Sequence, residues 1–390
     1  MPSVRPPKRQ RQLPSDAASK GTRSASFRHR FLWLAVPAVA GLAFYLVGGR
    51  GVHTFNTNDS GSAPEITYLP SVKRAPYIVA DLPGKGKGLV AIRDIKQGEL
   101  VIQESPLFTV PTSISRRLIL ETASESPGAL IARLLRNTPA EGRDAFLNLS
   151  YVNFPAGVDP KTNPDQVALA IFQTNAVAAG EQAGIFPGMA RLNHGCSSAF
   201  NVVYTWRERE QQLFVYALRD VQRGQTQSEL GKSEGKLLFH HVYINFLSQQ
   251  YGFKCTCAVC SLDDAASQAS DERLTTIARY YVHFASWGSG TISGVEAIST
   301  INKIWSLEEE EGYWSERGRL AADAAWIAAS HSDASAARLW AQLAIRWYTY
   351  EVGADSDLVS EVRRIAADPE EHPAWSSREP LVVGGPLALR

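Results

Sequence analysis

Four cysteines at two distant positions are the strongest constraint on the fold of this 390-residue chain. Cys196 stands alone, and the next cysteine, 59 positions later, opens the motif C-x-C-x-x-C formed by Cys255, Cys257 and Cys260. Structural zinc is held by four thiolate or imidazole ligands at the corners of a tetrahedron. We therefore expect these four residues to bind one structural zinc ion. Such a site requires the chain to return at residue 255 to the segment around Cys196.

Two disulfide bonds, or four buried thiols without a metal, are the alternatives. Cys255 and Cys257 are too close in sequence to pair comfortably with each other. A disulfide scaffold is also more typical of much smaller secreted chains, so disulfides remain the interpretation for an oxidising compartment. Because four thiolates leave no open coordination position, the expected zinc is structural and not catalytic.

Positive charge is concentrated at the start of the chain. Residues 1–30 carry eight Lys or Arg and one Asp, a net +7, whereas the whole chain carries only +1. The remaining residues therefore sum to −6, which lacks the basic footprint of a nucleic-acid-binding protein. We expect no direct nucleic-acid binding. The Pro-, Arg- and Ser-rich composition of residues 1–30 predicts a disordered basic tail.

Residues 31–49 are 19 consecutive uncharged and mostly apolar positions. A helix of this length nearly spans a hydrocarbon layer of about 30 Å, so the segment predicts a transmembrane helix with the membrane as its partner. The positive-inside rule then places the N-terminus in the cytosol. A cleaved signal or transit peptide is the alternative. We accordingly predict a single-pass membrane protein, with residues 50–72 as a linker.

Beyond the linker, the sequence is first rich in short strands. Runs of β-branched and apolar residues bounded by glycine predict strands from Tyr77 onward. A hairpin is predicted for Asn201–Trp206 with Leu213–Leu218. Between these strands, at about residues 111–184, helix-like apolar spacing predicts a helical insertion.

The last third of the chain shows helical periodicity. Apolar stripes predict an all-α domain over residues 270–367, including one helix that begins after Asp333 and ends at Gly353. Seven of the nine tryptophans lie between residues 287 and 375, and we expect them to hold stacked helices together. Such paired helices resemble tetratricopeptide packing, without its strict 34-residue period. Residues 368–390 are predicted to be a flexible tail.

Four motifs follow one another in the strand-rich part of the chain. They are Gly84-Lys85-Gly86-Lys87-Gly88-Leu89 with Glu104-Ser105-Pro106-Leu107, Thr174-Asn175-Ala176 with Gly184-Ile185-Phe186-Pro187, Arg191-Leu192-Asn193-His194-Gly195-Cys196, and Tyr251-Gly252-Phe253 before the cysteine motif. In this order, residues 73–262 resemble the SET-domain protein lysine methyltransferases. The resemblance is to the fungal SET and SET-and-MYND-like branch. The MYND zinc finger is absent, because no cysteines remain to build it.

This resemblance implies an α+β fold: a β-rich SET domain with a helical insertion and a zinc-bound post-SET segment, followed by the all-α region. It implies methylation of a protein lysine with S-adenosylmethionine as the cofactor. The residues that it assigns to cofactor binding are Lys85, Gly86, Leu89, Asn193, His194 and Phe253. Zinc on the four cysteines would dock the post-SET segment over the cofactor pocket.

The motif that carries the catalytic tyrosine departs from the family pattern. Where the family has Gly-Glu-Glu-Ile-Thr-Ile-Ser-Tyr, residues 224–231 read GQTQSELG, and no tyrosine occurs between Tyr216 and Tyr243. Tyr251 keeps the place of a second active-site tyrosine and is the predicted catalytic residue. The sequence thus predicts a membrane-anchored lysine methyltransferase with impaired catalysis. The alternative is a non-enzymatic SET pseudoenzyme that binds the cofactor or a peptide as an interaction module.

Overall fold

The computed structural model describes residues 75–112, 126–152, 154–223, 229–232 and 251–387, with the backbone alone for residues 229–232. All of these residues belong to one of the two compact units of the chain, Val47–Arg390. The predicted basic tail 1–30, transmembrane helix 31–49 and linker 50–72 lie outside the described residues.

The predicted single-pass membrane localisation is corrected by the structure. Among the helices that the structure describes, none combines the length and the apolar character needed to cross a lipid bilayer. The helices that are long enough carry polar and charged residues on one side, because they are built to pack as layers with one face in water. The segment on which the prediction rested, residues 31–49, is not among the described residues.

The described strands form three small sheets. The first sheet has the strand order β1 (Tyr77–Leu82), β2 (Gly86–Ala91), β10 (Glu229–Lys232) and β7 (Asn193–His194). The second sheet has the order β3 (Leu100–Glu104), β9 (Gln212–Ala217) and β8 (Val202–Arg207). The third sheet has the order β4 (Thr109–Pro111), β6 (Gln182–Gly184) and β5 (Val177–Ala179). Strands β10 and β7 pair in parallel, and the other pairs are antiparallel.

Sequence patterns account for the strands that were predicted. The turn between β1 and β2 uses Gly84 and Gly86 at positive φ (+73° and +66°), which glycine adopts at no steric cost. In β9, Leu213, Val215 and Ala217 alternate into the core between the sheets. The predicted hairpin is confirmed as β8 and β9, paired from Val202 with Ala217 to Arg207 with Gln212.

The described part of the predicted insertion contains the helices α1 (Pro127–Arg136), α2 (Ala140–Leu147) and α3 (Pro164–Asn175). Their apolar faces meet in a core of their own around Phe146 and Ile171, both fully buried. Strands β4, β5 and β6 lie at the two ends of this insertion, so the region predicted as helical also contains one small sheet.

The C-terminal part is helical, as predicted. It contains α4 (Asp264–Ala285), α5 (Gly294–Glu311), α6 (Arg317–Ser330), α7 (Ala334–Val352) and α8 (Asp357–Ala367). The first helix begins before residue 270, because Asp263 caps it by accepting a hydrogen bond from the Ala266 N–H. Asp333 caps α7 in the same way, and α7 ends at Gly353, as predicted. Tryptophans of this region meet edge to face inside the helix layers, as between Trp305 and Trp347.

The flexible tail predicted for residues 368–390 is wrong over residues 368–387. The indole N–H of Trp340 donates to the carbonyl of Gly384 at 3.1 Å, and Val383 is buried. The Arg378 guanidinium lies 4.0 Å from the ring centre of Trp287. This segment has no amphipathic helical or strand period, yet Trp375 and Val383 pack against the helical core.

Candidate cofactor and zinc site

The four cysteines converge as the spacing predicted. Their sulfur atoms all lie within 4.8 Å of one another. The Cys196 sulfur is 4.0 Å from that of Cys255 and 3.5 Å from that of Cys260. A tetrahedral zinc with Zn–S bonds of about 2.3 Å separates its sulfur ligands by about 3.8 Å. The cluster therefore has the dimensions of a zinc–thiolate site.

Burial and protonation of the cysteines also suit a metal. All four are free thiols, and Cys196 and Cys255 are buried. A disulfide needs sulfur atoms about 2.05 Å apart, far closer than these. Hydrogen bonding with Cys255 raises the pKa of Cys196, whereas hydrogen bonding with Cys196 lowers the pKa of Cys257. The thiols thus compete for protons, and a bound cation would let all four ionise.

The Asn-His segment is a short strand at the edge of the first sheet. Asn193 pairs with Gly231 and His194 with Lys232, in parallel register. Both residues of β7 are half-buried. The His194 Nε2 lies 3.1 Å from the Cys196 sulfur, so the predicted cofactor segment and the predicted metal ligand are in direct contact.

A partly buried carboxylate fixes the turn that leads into this strand. Glu104, at the end of β3, accepts hydrogen bonds from the backbone N–H groups of Gly188 at 2.9 Å and Met189 at 3.0 Å. Burial raises the pKa of the Glu104 carboxyl, and these two N–H groups oppose that shift. The sequence motif that contains Glu104 does not reveal this role, because the partners of Glu104 lie more than 80 residues away.

The glycine-rich strand approaches the Asn-His segment at Gly88. A Cβ on Gly88 would lie 2.5 Å from the Asn193 side-chain nitrogen and would also meet Leu82 Cδ1, so a larger residue would have to displace these side chains. Lys85 and Gly86 lie in the exposed turn between β1 and β2. The close approach to Asn193 falls at Gly88, whereas contact of Gly86 with the cofactor remains a prediction.

Leu89 lies in β2, and its contact with the cofactor remains a prediction. Its side chain is fully buried in the core between the sheets. Only the backbone of Leu89 remains to contact a cofactor.

The segment before the cysteine motif lies against the Asn-His strand. The Phe253 ring centre is 6.4 Å from that of His194, with the planes at 56°. Phe253 is 38% exposed, which leaves part of the ring open to a ligand. Tyr251 is half-buried and packs against the cysteine cluster. The structure thus places Tyr251 against the cysteine cluster and Phe253 against His194, and their predicted roles remain predictions.

The position of the family's motif tyrosine is occupied by glycine. Counting along the motif, the tyrosine corresponds to Gly231, which the structure places opposite Asn193. Glycine supplies no hydroxyl group there. Tyr243, the next tyrosine after this position, lies outside the described residues.

Comparison with known proteins agrees with this geometry. Residues 86–226 match the family model of the SET domain. Over 303 residues the chain is 26% identical to histone-lysine N-methyltransferase set5 of Schizosaccharomyces pombe, covering 76% of this chain and 85% of that protein. Over these residues the chain is therefore similar to the SET-domain methyltransferases. The family resemblance stated from the motifs is thereby confirmed.

Proposed function

We propose that this chain is an S-adenosylmethionine-dependent protein lysine methyltransferase in which the methyl-transfer step is impaired. The approach of Gly88 to Asn193 carries the proposal, because it joins the glycine-rich strand and the Asn-His segment into one cradle. A Cβ at position 88 would occupy the space beside Asn193, and the sequence has glycine at that position. The match to the SET domain supports the reaction class.

One wall of the proposed cofactor site is the turn before β2. Lys85 and Gly86 are exposed there and would contact the cofactor, the glycine through its backbone. Leu89 would contribute only main-chain groups, since its side chain lies in the core. Backbone N–H and C=O groups held in this way bind polar atoms without a reorganisation cost.

The opposite wall is β7 with the segment before the cysteine motif. Asn193 and His194 would bind the polar ends of the cofactor through hydrogen bonds, and Phe253 would lie along its adenine ring. When bound, S-adenosylmethionine supplies the methyl group on its sulfonium centre. The cradle is open at Phe253, whose ring is partly exposed.

Tyr251 is the proposed catalytic residue. Its hydroxyl would hold the neutral amine of the target lysine in line for attack, in a narrow channel that excludes water. Because Gly231 replaces the motif tyrosine, one hydroxyl would act where the family has two. The expected consequence is a reduced rate of methyl transfer with cofactor binding retained.

The four cysteines would hold structural zinc, which ties the post-SET segment to β7. Only a small apolar cluster around Val259 otherwise surrounds this segment. The metal would stabilise the folded post-SET segment beyond what this small cluster contributes, because the free energy of metal binding at a thiolate site adds to the free energy of folding. We further propose that residues 73–262 act as the SET and post-SET unit, and that the helices beyond it form a tetratricopeptide-like scaffold.

A second candidate function is a cofactor-binding module without catalysis. The replacement of the motif tyrosine by Gly231, opposite Asn193, favours it. The two candidates share the cofactor cradle and differ only in the transfer step. They therefore separate in an assay that measures binding and turnover independently.

The test uses the purified full-length protein loaded with zinc. Calorimetric titration with S-adenosylmethionine should show binding that Asn193→Ala weakens about tenfold or more, because a buried polar cradle loses its hydrogen bonds. Absence of binding to the wild-type protein would overturn both candidates. Transfer of labelled methyl groups is then measured on histones, since the relative is named for a histone lysine substrate.

A gain-of-function variant separates the candidates. Gly231→Tyr restores a hydroxyl at the motif position, and we expect the methylation rate to rise about 10- to 100-fold with S-adenosylmethionine affinity unchanged. Slow methylation by the wild type, increased in this variant, supports the impaired enzyme. Binding without methylation by either protein supports the binding module.

A further inference from the structure

A buried carboxylate joins the Asn-His-Gly-Cys segment to the helical region. Glu311, the last residue of α5, has a side chain that is 2% exposed. One of its oxygens accepts hydrogen bonds from the hydroxyls of Ser197 at 2.5 Å and Ser270 at 2.6 Å. The other accepts from the Arg273 guanidinium at 2.9 Å. Ser197 directly follows the zinc ligand candidate Cys196, whereas the other two donors lie on α4.

The backbone of Ser197 is held in an unfavourable conformation. Its φ is +31°, a region that residues other than glycine rarely adopt. Such a conformation is unfavourable and persists only where the surroundings enforce it. The hydroxyl that bonds Glu311 also accepts from the Ser198 N–H at 2.6 Å. The Ser197 hydroxyl is thus the contact through which the strained turn is anchored.

The residues after Ser197 are held from both sides as well. The Arg219 guanidinium donates to the carbonyl groups of Ser198 and Phe200. The Phe200 ring meets Tyr313 edge to face, with ring centres 5.6 Å apart. Tyr313 follows α5, two positions after Glu311. The short 3-10 turn Ser197–Ala199, which follows Cys196, therefore depends on the C-terminal end of α5.

We propose that Glu311 is a positioning residue: through Ser197 it holds residues 193–196 in the geometry that the cofactor and the zinc ion require. The inference rests on the proposed function for the identity of these ligands. A carboxylate suits the task, because charge-assisted hydrogen bonds are stronger and more directional than neutral ones. Loss of the Ser197 hydroxyl would release the strained turn and let Cys196 move.

The structure offers a matched pair of variants for the test. Ser197→Ala and Ser270→Ala each remove one hydroxyl from the same Glu311 oxygen. Only Ser197 belongs to the segment that carries the ligand residues. A merely structural contact between the two regions would respond to both changes alike, whereas a positioning role predicts an effect from Ser197 alone.

Three measurements are made on the full-length zinc-loaded proteins. With Ser197→Ala we expect about tenfold weaker S-adenosylmethionine binding by calorimetry and about tenfold faster zinc loss to a chromogenic chelator, as for one lost hydrogen bond to a charged group. Hydrogen–deuterium exchange at amides 193–200 should also accelerate about tenfold. Ser270→Ala should leave all three within twofold of wild type. Glu311→Gln keeps an acceptor for Ser197 but loses the charge, so it should weaken S-adenosylmethionine binding to a degree between the wild type and Ser197→Ala.

The exchange measurement separates this inference from the proposed function. Equal exchange at residues 193–200 in the two serine variants would overturn the positioning role, whatever the measured S-adenosylmethionine affinity and rate of zinc loss. If the wild type bound no S-adenosylmethionine while the exchange difference persisted, the proposed function would fail and the positioning of the segment would stand. Equal loss of cofactor affinity in both variants would also count against a specific role for Ser197.

Discussion

The sheet region and the helical region of this protein are stabilised in different ways. In the helical region one hydrophobic core runs through all five helices, with Ile277, Ile301, Leu320, Trp340 and Val359 each from a different one. In the described part of the sheet region, buried apolar side chains form separate clusters: one between the sheets, one in the insertion, a small one at the cysteines and a small one that joins Phe200 and Leu218 to Tyr313. The first region is stabilised by burial, and the second needs additional links between its clusters.

The post-SET segment shows the difference most clearly. Two of its large apolar side chains are partly exposed, Phe253 by 38% and Leu262 by 42%. Val259 is its one buried aliphatic side chain in the described cysteine cluster. Hydrophobic burial of this size contributes only a few kcal/mol, so the segment depends on its thiolates. Metal removal should therefore act first on the post-SET segment and core mutation first on the helices, with Glu311 and Tyr313 as contacts between the two regions.

The largest expected effect is the loss of the proposed metal ligand in Cys257→Ser. We expect the zinc content to fall to near zero and the sheet region to lose more than about 3 kcal/mol of stability. Zinc is measured by atomic absorption, and stability by urea unfolding. Ser261→Ala, directly after the motif, serves as the matched control and should keep its metal. Unchanged stability after complete chelation would contradict the zinc assignment.

A core mutation in the helical region should have the complementary effect. Trp340 is fully buried and bonded to Gly384, so Trp340→Ala should cost about 3–5 kcal/mol. Circular dichroism at increasing urea concentration reports the helices, and zinc content is measured in parallel. Leu358→Ala on α8, where the leucine is 41% exposed, should cost less than about 1 kcal/mol. Loss of zinc in Trp340→Ala would show that the two regions do not behave separately.

Sequence reasoning succeeded where the determining contacts are local or where the chemistry of a residue is specific. The Asp333 cap bonds three positions ahead, and the four cysteines have few alternative roles. It failed where the partner is remote. The steric need for Gly88 comes from Asn193, and the order of the C-terminal tail comes from Trp340, which accounts for two of the differences from the predicted structure.

The buried charges of the helical region were also missed, and they distinguish it again from the sheet region. Arg317 is 2% exposed and lies 4.8–5.4 Å from the ring centres of Trp305, Trp314 and Trp347. Glu308 lies beside it, with 3.8 Å between Oε2 and the Arg317 Nε. A helical pattern places these positions on the inner face, but it cannot distinguish a buried ion pair from a solvated one.

These buried acids predict that the helical region responds to pH, which is the smallest of the expected effects. Burial raises the pKa of Glu308 and of Glu351 to about 8. In the unfolded chain both carboxyl groups ionise near pH 4.5, so the folded state holds more protons than the unfolded state between these values. The stability that each protonated acid contributes is therefore complete below about pH 4.5 and is lost as the pH rises toward about 8.

Glu351→Gln tests this dependence with little change of shape. The amide can still accept the hydrogen bond that Glu351 accepts from the Gly318 N–H at 3.2 Å, and it does not ionise. Between pH 5 and pH 8 the wild type should lose on the order of 2–3 kcal/mol more stability than the variant, by urea unfolding followed by circular dichroism. Glu370→Gln, on the surface, should follow the wild type. A variant with the wild-type pH dependence would place the pH-sensitive groups elsewhere, and a larger effect on zinc content than on helix stability would place them in the sheet region.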